Sequence, residues 1–118
     1  MKGLHLTADL YRCRCDAEWL TDAQQLQDWC AAAIAAVGLQ PVAHAFHGSE
    51  GVAGTVLMAD GHVCLHTWPA ERAVTLDVYA GRGPADPSAK ARGLMFALVN
   101  RFQPEWTEQR SLDRGEEE

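Results

Sequence analysis

The chain has 118 residues, 47% hydrophobic and 22% charged, with 10 Lys and Arg against 16 Asp and Glu and a net charge of −6. That length suits one compact domain, the apolar fraction excludes wholesale disorder, and no apolar run nears the roughly 20 residues of a membrane span. An acidic balance also argues against nucleic acid, which a basic face is needed to hold, so neither nucleic acid nor a membrane is an expected partner.

Along the chain, Leu4 to Tyr11 reads as a strand, with Leu4, Leu6 and Ala8 alternating against His5, Thr7 and Asp9. Thr21 with Gln24 three residues on forms a capping box that opens a helix. Ala23, Leu26, Cys30, Ala33, Ile34 and Val37 share one face of it, and Gly38 supplies a left-handed stop. From Gln40 the period changes to two, which predicts strands over 40–47, 52–59, 62–68 and 72–80. Asp60-Gly61 is a tight-hairpin signal, because both residue types tolerate positive φ. After a Gly- and Pro-rich loop over 81–87, Asp86 caps a second helix with Pro87 at its first position. Leu94, Met95, Leu98, Val99 and Phe102 form its apolar stripe, and Pro104 ends it.

This order predicts an α+β fold of two layers, an antiparallel sheet with both helices on one face, forming a single domain over 1–103. Residues 104–118 carry −4 of the net charge and read as an acidic, mobile tail. A sheet covered on one face leaves the other open, and pairing with a second copy covers it, so a dimer is expected. The four cysteines, Cys13, Cys15, Cys30 and Cys64, include no C-x-x-C pair. With no secretion signal in MKGLHLTADL, they read as reduced thiols of a cytoplasmic protein, Cys30 being a core residue.

The densest chemistry lies in Asp60-Gly61-His62-Val63-Cys64-Leu65-His66-Thr67-Trp68-Pro69. On a strand, His62, Cys64 and His66 share a face. Same-face neighbours stand some 6–7 Å apart, which suits one metal ion poorly unless His44 or His47 adds a ligand. No metal is therefore expected, and polar residues lining a pocket or an interface are the reading preferred.

His66-Thr67-Trp68-Pro69, with a histidine four residues earlier, resembles the H-x-x-I-H-T-W-P core of the small prokaryotic S-adenosylmethionine decarboxylases. Gly3-Leu4-His5-Leu6 resembles the family's opening strand, Phe46-His47 and Gly51-Val52-Ala53-Gly54 its F-H and G-V-[ST]-G segments, and Asp77-Val78-Tyr79 its D-V-F. The resemblance implies an α+β sandwich protomer, usually dimeric, and a link to spermidine synthesis. Family members are also implied to make a pyruvoyl cofactor from the serine of an E-S-H motif, and this group serves as the electron sink when carbon dioxide leaves.

The chain departs from that pattern where the chemistry lies. E-S-H reads Asp60-Gly61-His62, and glycine has no oxygen with which to attack the preceding carbonyl. The family's processing hydroxyl is Ala53, its product-protonating cysteine is Gly81, and its W-P-E glutamate is Ala70 with Glu71 adjacent. Of the catalytic set only His66 matches. The reading that follows is a homologue that does not process itself, without a cofactor and not an active pyruvoyl-dependent decarboxylase. It is expected to bind S-adenosylmethionine or a polyamine through His62, His66, Trp68, Phe46, His47 and Glu71, as a homodimer or paired with an active relative. Trp68 either stacks on a ligand or packs in the core, and His66 either orients a ligand carboxylate or bonds the turn. Two alternatives stand beside it: an enzyme using the His62, Cys64 and His66 face for a metal or a thiolate, and a decarboxylase processed at Cys64.

Overall fold

The structure, a computed structural model, describes residues 2–83 and 85–115. Six strands, β1 (Lys2–Tyr11), β2 (Pro41–Gly48), β3 (Val52–Met58), β4 (Gly61–Trp68), β5 (Ala73–Arg82) and β6 (Trp106–Arg114), form one sheet in the order β2-β3-β4-β5-β1-β6. Each described pairing is antiparallel. Helices α1 (Ala23–Ala36) and α2 (Ser88–Phe102) pack on the same face, as the sequence pattern predicts. Among the described residues no helix is long and apolar enough to cross a membrane.

Alternation decides which side chains meet the helices. Leu4, Leu6, Ala8 and Leu10 of β1, Val63 and Leu65 of β4, and Val74, Leu76 and Val78 of β5 are all buried there. They pack against Leu26, Cys30 and Ile34 of α1 and Leu94, Met95, Leu98 and Phe102 of α2. Thr67 joins this layer as a polar exception. Its hydroxyl donates to the Leu20 carbonyl at 2.7 Å and accepts the Val52 N–H at 2.8 Å, tying β4 to β3 and to the turn before α1.

Several local details differ from the expectations. The N-cap of α1 is Asp22, whose carboxylate accepts the Gln25 N–H, one residue after the capping box expected at Thr21. Asp86 accepts the Ser88 N–H, but Pro87 stands at the cap and the helix starts at Ser88. The β3–β4 turn is made by Ala59 and Asp60; Gly61 is the first residue of β4 and has no positive φ.

The largest correction concerns the end of the chain. Trp106–Arg114 is no mobile tail but an edge strand along β1, and residues 116–118 of that expectation lie outside the described residues. Side chains secure it: Trp106 stacks on Tyr11 at 4.3 Å, the Tyr11 hydroxyl donates to Glu108 at 3.1 Å, and Arg110 reaches Asp9 at 3.5 Å. Its two acids, Glu108 and Asp113, are exposed, so charge pattern and strand pairing coexist.

Thr67→Val keeps the shape but leaves the Val52 N–H without its acceptor in the core. A loss of about 2 kcal/mol in unfolding free energy is expected from urea denaturation, against less than about 0.5 kcal/mol for Thr75→Val on the opposite face.

Candidate functional site

Strand pairing carries residues of distant sequence into rows across the open face. One row reads Leu57, His62, Tyr79, His5 and Leu112, from β3 to β6. His62 stacks on Tyr79 with centroids 5.7 Å apart, and His5 meets the other side of Tyr79 edge-on at 6.2 Å. The His5 Nε2 lies 3.3 Å from an Asp77 carboxylate oxygen. The next row contains Thr55, Cys64 and Asp77. Here the Thr55 hydroxyl donates to the Val63 carbonyl at 3.0 Å and touches the Cys64 sulfur at 3.3 Å. A third row pairs Ala53 with His66 and Thr75.

At the Trp68 end of β4 the sheet opens into a cleft of about 410 Å³, lined by His47, Glu50, Ala53, His66, Trp68 and Glu71. His66 and Trp68 stack there with centroids 6.0 Å apart and planes 20° from parallel. Trp68 is 48% exposed, which excludes the core-packing alternative and leaves its ring free to meet a flat or cationic group. Among the described residues His66 makes this ring contact and no hydrogen bond, so it does not bond the turn.

The turn that carries Glu71 is clamped from below. Arg72 adopts left-handed backbone geometry, φ 49°. Its guanidinium donates to the carbonyls of Cys13, at 2.6 Å, and of Cys15. Cys13 N–H returns a bond to the Arg72 carbonyl at 2.8 Å. Both thiols are thereby enclosed, and burial pushes Cys13 up to about 11 and raises Cys15 as well. Burial in the core likewise pushes Cys30 up to about 12.

Of the six residues expected at a ligand site, His47, His66, Trp68 and Glu71 converge on this cleft. His62 does not; it stands at the far end of β4 against Tyr79. Phe46 lies on the helix-facing side, where its ring covers Gly54 and leaves no room for a side chain there. His44 pairs with Val56 and shares that same side, so it cannot supply the metal set suggested for the open face. Among the described residues no three metal-capable side chains converge. Sequence reasoning missed Tyr79, His5 and Thr55 as neighbours of the motif, because only the register between strands brings them there.

The substituted positions fall at two ends. Ala53 and Ala70 border the cleft beside His66. Gly61 and Gly81 lie together about 16 Å away along β4, at the rise of an extended strand. The Asp60 carbonyl accepts the Gly81 N–H at 2.6 Å. A Cβ added to Gly61 would overlap the Tyr79 carbonyl oxygen and stand 2.9 Å from its carbon.

The fold and face define a two-layer α+β domain whose open sheet surface presents imidazole, thiol, phenol and indole groups. Similarity to known proteins makes the class specific. The sequence profile of the S-adenosylmethionine decarboxylase family matches residues 4–115, and the chain belongs to that family. It is 31% identical to the S-adenosylmethionine decarboxylase proenzyme of Hydrogenobaculum sp. (strain Y04AAS1) over 116 residues, covering 96% of this chain and 81% of the relative. The proenzyme of Aquifex aeolicus (strain VF5) is also 31% identical, with the same coverage. A crystal structure of the adenosylmethionine decarboxylase from Aquifex aeolicus superposes with a TM-score of 0.85 at 28% identity, covering 98% of this chain and 92% of that one.

Membership corrects one expectation. The sequence reading foresaw no cofactor, whereas the matched relatives are proenzymes of a family whose cofactor is a pyruvoyl group made from the chain itself. Pyruvoyl is therefore the group that the family implies. The residues at position 61 do not fit its formation there, since glycine offers no hydroxyl and the Tyr79 carbonyl fills the space a side chain would need.

Thiol chemistry provides a direct check of the site's anatomy. In the native protein at pH 8, Cys64 is expected to react with a maleimide at least about tenfold faster than Cys13, Cys15 or Cys30, as read by peptide mass mapping. The two largest upward shifts also set a pH dependence. A neutral buried thiol is lost to ionisation only on unfolding, so stability is full below about pH 9 and falls as pH rises toward 11–12. Cys30→Ala should make that decline shallower in denaturation curves taken from pH 8 to 10.5.

Proposed function

We infer that this chain works by binding: a homologue of S-adenosylmethionine decarboxylase that does not cut itself at the Asp60–Gly61 junction and takes S-adenosylmethionine or a polyamine-related ligand in the cleft of His47, His66, Trp68 and Glu71. The observation that carries the reading is the asymmetry between the two ends of β4. The cleft at one end keeps the family's histidine, stacked on an exposed indole. The junction at the other end has lost the attacking atom. A sulfonium or ammonium group suits the Trp68 face, and Glu71 adds a negative charge at the cleft's edge.

Titration of the purified chain with S-adenosylmethionine, followed by calorimetry, is expected to give saturable binding without release of carbon dioxide. Trp68→Ala is expected to weaken it at least about tenfold, in keeping with about 1.4 kcal/mol for loss of a cation–π contact and its apolar area. An undiminished affinity in that variant would remove the cleft from the reading. Intact mass under denaturing conditions is the companion measurement, and a single full-length species is expected. Two fragments that break between Val63 and Cys64 would instead support processing at the thiol. The contact of Thr55 with both the Val63 carbonyl and the Cys64 sulfur favours that second reading.

The open face supports a dimer. Leu57 and Leu112, at the two ends of the Tyr79 row, are 48% and 58% exposed, and two such exposed side chains flanking a half-buried aromatic row suit a self-complementary contact. Light scattering after size exclusion is expected to give twice the chain mass. Leu57→Lys together with Leu112→Lys should yield a folded monomer, with unchanged far-ultraviolet circular dichroism.

A further inference from the structure

We propose that β5 has closed onto position 61, so that glycine there is now a packing requirement of the fold and serine alone does not return self-cleavage. The two strand ends meet backbone to backbone. The Gly81 N–H donates to the Asp60 carbonyl at 2.6 Å, and a Cβ at Gly81 would stand 2.7 Å from that same oxygen. A Cβ at Gly61 would overlap the Tyr79 carbonyl oxygen, with the Ala80 Cα at 3.1 Å. Every one of these obstacles is main chain, held in register by the β4–β5 ladder, and cannot swing aside as a side chain would. Neither glycine has positive φ, so close approach and not turn conformation is what demands it. The substitutions at 61 and 81 thus form one structural unit: each small residue permits the approach that excludes a larger residue at the other.

The alternative has its own physical appeal. The carbonyl before residue 61 already accepts a short hydrogen bond, so a hydroxyl added beside it would meet a polarised target. Gly61→Ser and Gly61→Ala separate the two outcomes, with Gly93→Ala as control, since a Cβ there meets only Val37 at an ordinary 3.8 Å. Both residue-61 variants are expected to melt at least about 5 °C below the parent and Gly93→Ala no lower than the parent, and Gly61→Ser is expected to keep a single full-length mass. Failure of both residue-61 variants to fold while the control folds is the extreme form of that result. A smaller fall in melting temperature for either variant, or two fragments from Gly61→Ser that break before residue 61, overturns the proposal. A parent chain cut before Cys64 would end the binding reading and leave this one standing, because the two rest on opposite ends of β4.

Discussion

The hydroxyl of Thr67 bridges a carbonyl from the turn before α1 and an N–H at the start of β3, inside an otherwise apolar layer. Leaving either partner unmet in that layer would cost on the order of 1–3 kcal/mol, which makes an inward Thr67 strongly preferred over any shifted register. Strand alternation does the rest. With Thr67 inward, Val63 and Leu65 enter the core, and His62, Cys64, His66 and Trp68 must face outward. The threonine of the H-T-W-P segment is thus a structural residue, and the histidine and tryptophan on either side owe their exposure to it.

An open sheet face is costly when apolar and unspecific when wholly charged. This one is neither. Imidazole and phenol rings fill its middle row, Asp77 meets His5, and the β6 side is laced by Tyr11, Trp106, Asp9 and Arg110. Exposed leucines remain at both ends of the aromatic row. The helix-covered face explains stability, and the other face is free to be spent on recognition.

Much of this architecture was legible in the sequence because period and burial coincide: β1, β4 and β5 alternate cleanly, and both helices bury one stripe. The missing parts fail for specific reasons. Neither face of β6 is buried, so its composition carries no alternation of apolar residues; what makes it a strand is its backbone ladder with β1, supported by the side chains of Tyr11 and Asp9. His62 is grouped with His66 by proximity along the chain, and Phe46 through the F-H segment of the resemblance. Yet His62 lies at the far end of the strand, and Phe46 follows the parity of its own strand to the opposite face. Tyr79 and His5 become neighbours of the motif only through registers that no single segment encodes. The Asp60-Gly61 pair signalled a turn, and a turn is there, but the glycine serves the approach of β5 and not the bend itself.

The two ends of β4 are built in different ways, and the difference is informative. At the cleft, Ala53 and Ala70 line an open cavity in which His66 stacks on Trp68, and Glu71 offers a carboxylate next to Ala70. At residue 61 the main chain of β5 fills the space that a side chain would take. A cavity can be refilled by one substitution, whereas a closed strand pair has to be reopened against its own hydrogen bonds. A side chain at the junction is therefore harder to add than one in the cleft, and the binding reading proposed above rests on that contrast.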